Sequence, residues 1–385
     1  MRRSFILIFV FYFLLINYAK SQPGDACQLR ISVLTCSPGS ELYSLFGHSA
    51  LRITDSTRGT DIIYNWGTFD FDEPNFYGKF MRGKLLYFVS PDNVRIFLRE
   101  YQYDGRSVIE QVLSLSCEEK HAIEKAVDSN MQGNNVYYKY DFLFDNCTTR
   151  IRDLIFNNVK NLTIKTPLVP DGTTFRNMIH FYLDNGHQPW SKLGIDILLG
   201  SSIDRAVTNY EAMFLPDYLM KGIDWSANAG ESIVSKKVMM LPAPADRNNT
   251  NNSAPLIYIS VLCGLICLIS LLPFSLARSI TGFIDSFLIY ITGVLGLLLV
   301  FMWFFTDHSS CSDNYNLLWA MPLNIVAGFL IFKRPVWIKR YFLIVAAIIF
   351  LNLVLWKVLP QQFNVALIPF LLLLLYRYLK LGLSK

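Results

Sequence analysis

Apolar residues change their pattern once along this chain. Up to about residue 254 they alternate with polar residues in short runs, and from Ala254 onward they form long blocks separated by brief charged loops. In the first part, Ile31–Thr35, Ser49–Ile53, Asp61–Trp66, Leu85–Val89 and Ser107–Leu115 carry β-branched or aromatic residues bounded by Gly, Pro, Asp and Ser, which predicts strands. Cys117–Met131 and Thr148–Asn157 repeat their apolar positions at helical spacing. The pattern predicts an α+β domain of roughly 220 residues, enough for its own core. In the second part, blocks at 255–274, 282–305, 317–332, 341–359 and 363–376 each approach the roughly 20 residues that cross a bilayer. They predict an all-α bundle of five transmembrane helices over residues 255–385. Residues 243–254 between the two parts are polar, turn-rich and aperiodic, which marks a linker.

The amino end decides which way the chain is threaded. Met1–Arg3 is basic, Phe5–Ile16 is apolar, and Ala19-Lys20-Ser21 supplies small residues, the order of a secretory signal over residues 1–21. Residues 22–242 are then exported. With that domain outside, Arg278, the Lys333–Arg340 cluster, and Arg377, Lys380 and Lys385 all fall on the cytoplasmic side. The positive-inside rule therefore agrees with the signal and predicts a cytoplasmic carboxyl terminus. Asp285, near the inner end of the second block, reads as interfacial.

Composition changes the picture little. The 52% hydrophobic content exceeds that of a soluble protein, as membrane blocks require. The net charge of +5 is modest and its basic residues after 254 flank membrane spans, so no nucleic-acid partner is implied. Seven cysteines lack metal-ligand spacing, so no metal is expected. Cys27, Cys36, Cys117 and Cys147 all enter an oxidising compartment, where a disulfide such as Cys27–Cys36 is open and sequence alone does not fix the pairing.

Two short runs carry candidate chemistry. In Phe46-Gly47-His48-Ser49-Ala50-Leu51-Arg52-Ile53 a histidine opens a strand just after a glycine, and the strand Ile62–Thr68 returns beside it. In Asp145-Asn146-Cys147-Thr148-Thr149, Asp145 or Asn146 can cap a helix whose first turn carries Cys147, where the helix dipole lowers a thiol pKa. The free amides of that turn could also receive an oxyanion. Either residue alone has an ordinary structural explanation. Together they form a candidate nucleophile and base. Thr68–Asp72 and Asn75–Phe80 mix aromatics and charges in a loop that could line a lipid-facing cleft.

His48 preceding Cys147 resembles the circularly permuted papain-like thiol enzymes, which include lecithin:retinol acyltransferase-like proteins and NlpC-type peptidases. The runs Phe46–Ile53, Tyr64–Phe71 and Asp145–Thr148, with Asp307-His308 and Asn316-Leu317-Leu318-Trp319, resemble more specifically the Bacteroides-type lipoprotein N-acyltransferase family, Lnb. The resemblance implies Cys147 as nucleophile, His48 as base, and no cofactor. It implies a phospholipid acyl donor and a diacylated lipoprotein acceptor, met in the bacterial inner membrane with the amino-terminal domain in the periplasm. Asn65 and Tyr64 are both candidates for the residue that orients the base. The substrate-binding candidates are Asp145 and Asn146 at the cap, with His308 and Asn324 positioning a headgroup. The competing reading of the same pair is a membrane-anchored cysteine peptidase or amidase.

Overall fold

The computed structural model describes residues 27–242, 253–333 and 335–384. The expected signal segment and most of the expected linker lie outside these residues. In chain order the first part runs β1 (Leu29–Cys36), β2 (His48–Asp55), β3 (Thr60–Thr68), α1 (Phe76–Met81), β4 (Leu86–Asn93), α2 (Val94–Tyr103), β5 (Val108–Leu113), α3 (Cys117–Asn130), β6 (Tyr137–Lys139) and α4 (Cys147–Asn158). It continues with β7 (Leu162–Ile164), α5 (Phe175–Asn185), α6 (Pro189–Leu198), α7 (Asn209–Ala212), α8 (Pro216–Asp224), β8 (Ser226–Asn228), β9 (Glu231–Ser232) and β10 (Val234–Leu241).

Seven strands form one antiparallel sheet in the order β10-β5-β1-β2-β3-β4-β6, and β7, β8 and β9 form a small second sheet. The five strands and two helices read from the sequence are all present. β1 is buried along nearly its whole length because both faces are covered. On one face Ile31, Val33, Leu51, Ile53 and Trp66 pack with Ile151 and Ile155 of α4, the larger core. On the other, Leu34, Cys36, Ala50 and Ile63 pack against Phe97 of α2. β10, a strand with no clear signal in its Val-Ser-Lys-Lys sequence, closes the sheet beside β5 and leads toward the second part. A disulfide joins Cys27 to Cys117, whereas Cys36 is a buried free thiol, so the Cys27–Cys36 pairing is not formed.

The second part is helical: α9 (Ala254–Leu271), α10 (Ser275–Phe304), α11 (Asn324–Leu330), α12 (Val336–Val354) and α13 (Leu367–Leu383). Among the described residues, α9, α10 and α12 are long and apolar enough to cross a membrane. The expected third span is not one helix. A 3-10 turn at Tyr315–Leu318 and an irregular stretch through Pro322 precede the seven-residue α11. The broken stretch lies against the backbone of α10, where a Cβ on Gly293 would collide with Ile325 N and one on Gly296 with Ala320 O. Asp285 has its side chain inside the bundle. It is buried in a two-bond ion pair with Arg377, at 2.6 Å each, which ties α10 to α13.

The two parts are joined by polar groups. The last carbonyls of α6 have no partner within their own helix. Asn314 donates to Ile197 O and Leu198 O at 2.9 Å, Asn316 to Asp196 O and Ile197 O at 3.1 Å, and Gln361 to Leu199 O at 3.2 Å. Beneath them Arg176, fully buried, binds Asp196 and Asp204, while His180 and Asn364 bind the same Asp196 carboxylate.

Candidate functional site

Cys147 is the first residue of α4, and the cap beneath it is Asn146 rather than Asp145. Asn146 Oδ1 accepts from Thr148 N at 2.8 Å and Thr149 N at 2.9 Å, while its amide donates to Phe142 O and Phe214 O. Asn146 is 3% exposed with all these bonds made inward, so its side chain holds the turn and has none to offer a substrate. The expectation of several free amides narrows accordingly. Thr148 and Thr149 donate to the Asn146 side chain and Arg150 to the Asn146 carbonyl, which leaves the amide of Cys147 itself.

His48 opens β2 opposite Cys36, after Gly47, whose φ of 80° and contact with Cys36 O leave no room for a side chain. β2 and β3 stay paired only up to Leu51–Tyr64, and β3 is irregular against β4 between Trp66 and Thr68, around Gly67 at φ 97°. In this opening the amino end of α4 reaches the strand carrying His48. The His48 ring and the Ser49 amide stand beside the Cys147 thiol and favour its thiolate, and Thr148 Oγ1, bonded in turn to Ser49 Oγ at 3.2 Å, lies 3.7 Å from Cys147 Sγ.

Strand alternation sorts the two candidate orienting residues. Asn65 lies on the His48 face and its Oδ1 meets His48 Nε2 at 3.1 Å. Tyr64 points to the other face, into the larger core, with Asp128 and Glu124 of α3 for neighbours, so it does not orient His48. Asn65 Nδ2 donates to Asp92 on β4, a carboxylate no local sequence signal singled out. That bond fixes Oδ1 as the acceptor toward His48, hence a proton on Nε2 and a basic Nδ1 for the thiol. The Tyr101 ring of α2 stacks beside His48 with centroids 6.5 Å apart.

The electrostatics follow from this packing. Burial pushes the Cys147 pKa up, but the charge and hydrogen bond of His48, with those of Ser49 and Thr148, outweigh it and bring it down to about 7. Burial pulls His48 down, yet the Cys147 charge and hydrogen bond and the Asn65 carbonyl hold it above its ordinary value. Both shifts favour the charged forms, a thiolate and an imidazolium.

The remaining expected residues fall into three situations. Asp145 forms a two-bond ion pair with Arg150, at 2.5 and 2.7 Å, and Arg150 lies 4.1 Å over the ring of Tyr138. Asn324, fully buried, donates to Thr292 Oγ1 at 3.1 Å and accepts from the Tyr341 hydroxyl, so it knits the bundle together and does not face a headgroup. The loop after α10 does meet the first part. Asp307 pairs with Lys139 at 2.8 Å, its amide donates to Arg82 O, and His308 Nε2 lies 3.2 Å from Phe80 O. From there a row of rings leads inward: Phe80 to Phe76 at 6.4 Å, Phe76 to Phe69 at 5.9 Å, Phe69 to Tyr87 at 5.2 Å and Tyr87 to Tyr140 at 4.5 Å.

The molecule is thus a membrane protein with an antiparallel α+β domain set on a helical part. Residues 21–180 match the model of the Lnb N-terminal periplasmic domain and residues 247–384 that of the Lnb transmembrane domain. The chain belongs to the Lnb family, and its first domain is periplasmic. No curated protein and no solved structure matches it.

Proposed function

We propose that the chain is a lipoprotein N-acyltransferase working through a Cys147 thioester. His48 takes the thiol proton, the thiolate attacks an ester carbonyl of a phospholipid, and a lysophospholipid leaves with that proton. The α-amino group of a diacylated lipoprotein then attacks the thioester and restores the thiol. The observation that carries this reading is the Cys147–His48–Asn65 arrangement with Tyr140 beside the thiol, the inner end of a row of aromatic rings whose outer residue, Phe80, is bonded through its carbonyl to the loop leaving α10. Family membership supports the same reaction class. The order His before Cys supports a permuted papain-like thiol domain.

Phe71, Tyr77, Phe80 and Met81 are exposed beside the charged Arg82 and Lys84, a composition suited to the outer leaflet and its phosphates. An apolar cavity of about 440 Å³ between α6, α9, α10 and α13 has room for lipid chains. A lipid-covered entry keeps water from the thioester, which a transferase requires and a hydrolase does not. We place the chain in the inner membrane with five crossings and a cytoplasmic carboxyl end. In that arrangement the broken 317–332 segment and the 17-residue α13 count as spans, and His308 is a headgroup contact.

The test is intact-mass analysis of the full chain in phosphatidylethanolamine vesicles. An acyl adduct on Cys147, missing from Cys147→Ala, is expected. An adduct-free protein that cleaves cell-wall peptides would establish the peptidase alternative instead. The lipoprotein terminus in cells should lose its amide-linked chain with the alanine variant.

A further inference from the structure

Attack on a carbonyl moves the C=O electron pair onto oxygen as the sulfur–carbon bond forms, and that negative oxygen needs donors already in place. α4 has one to offer, the Cys147 amide, because Asn146 occupies the next two. A second donor stands nearby. Tyr138 of β6 is 6% exposed, and its hydroxyl is buried without a hydrogen-bond partner among the described residues, a costly condition unless something else uses it. Its position relative to the thiol comes from Gly67. A Cβ built there would sit 3.8 Å from Cys147 Cβ and 4.0 Å from Tyr138 Oη, so both groups border the same space above a residue with no side chain.

We propose that Tyr138 is a catalytic residue whose phenol, together with the Cys147 amide, donates to the oxyanion formed when the thiolate adds to an ester or thioester carbonyl. The oxyanion re-forms its double bond as the C–O bond of the leaving alkoxide breaks, and the alkoxide takes the proton held on His48. Burial, followed by the charges of Cys147 and Asp145, holds the phenol well above its ordinary pKa, so it remains a donor throughout the working range. The Arg150 guanidinium over its ring, anchored by Asp145, keeps the hydroxyl from swinging away. This gives Asp145 a supporting role one step removed from the reacting atoms.

The inference rests on the acyl-transfer reading only for thiol attack on a carbonyl, so its test uses a soluble ester, p-nitrophenyl butyrate, on the full chain in detergent. Tyr138→Phe should slow the burst of nitrophenolate about 10²-fold at saturating ester, the scale of losing one oxyanion donor, with the half-saturating concentration within about twofold. Alkylation of Cys147 by iodoacetamide, a displacement that forms no oxyanion, should keep its rate. The thermal midpoint should hold or rise, since the lost hydroxyl has no partner to strand. An unchanged burst, or equal losses in burst and alkylation, overturns the proposal. A chain acylated by the soluble ester but never by phospholipid vesicles would overturn the donor assignment and leave Tyr138 standing.

Discussion

Two buried polar clusters in this protein each contain a histidine held by a side-chain oxygen, and they end differently. At the junction, His180 meets Asp196, whose carboxylate is shared with Arg176 and Asn364, so these groups occupy one another. At the amino end of α4, His48 meets Asn65, itself held by Asp92, but its other nitrogen faces a thiol, and among the described residues a phenol nearby has no partner. A buried polar group whose bonds all close on the fold supports structure. One left open beside a nucleophile supports chemistry.

The sharpest way to separate the two is to remove one residue from each. Cys147→Ser should reduce acyl transfer on the order of 10³-fold or more while thermal unfolding stays as in the unmodified chain. Arg176→Met should do the opposite. It takes the buried cation from Asp196 and Asp204 and should cost about 3–5 kcal/mol in denaturant titration, with Cys147 alkylation unchanged at temperatures where the protein stays folded. Loss of alkylation in the folded Arg176→Met protein would show that the clusters are coupled.

A pH profile sharpens the contrast further. Iodoacetamide should modify Cys147 with an inflection near 7, its rate falling as pH drops through that value and the thiolate is protonated. In His48→Ala the largest lowering influence is gone and burial still raises the thiol, so the inflection should move up by about one unit or more and the rate at pH 7 drop about tenfold. An unmoved inflection would dissociate the pair. The smallest effect on activity is expected from Asn324→Ala, which deprives the Tyr341 hydroxyl of its acceptor. That should lower stability by about 1–3 kcal/mol and change acylation less than twofold. Lost acylation at full stability would return Asn324 to the substrate.

The contrast also explains what the sequence could reveal. Residue type and immediate neighbours made Cys147 a candidate, because a capping Asn and a following helix are local, and His48 another, because it opens a strand with clear alternation. Choosing between Tyr64 and Asn65 needed the register of β3 against β2. Asp92 and Tyr138 reach the site only through β4 and β6, strands far from His48 in the chain, and neither carries a local signal. In the membrane part, Pro322 and Asn324 did mark an unusual segment. Its break against Gly293 and Gly296, and the use of Asn314, Asn316 and Gln361 to cap α6, depend on contacts across long separations. An asparagine in an apolar block looks the same whether it serves a ligand or a neighbouring helix.

The Cys27–Cys117 bond permits an order of assembly. It joins the chain just before β1 to the first residue of α3, a separation of 90 residues, and the loop it closes holds His48 but not Cys147. The half of the domain that bears the base can therefore be stapled in the oxidising periplasm before the half that bears the nucleophile has emerged. By the time Cys147 arrives, Cys27 and Cys117 can already be joined to each other, and the remaining thiol of the domain, Cys36, is buried in the sheet. Synthesis order thus delivers the reactive thiol after the other three cysteines of its domain, into a compartment that would otherwise oxidise it.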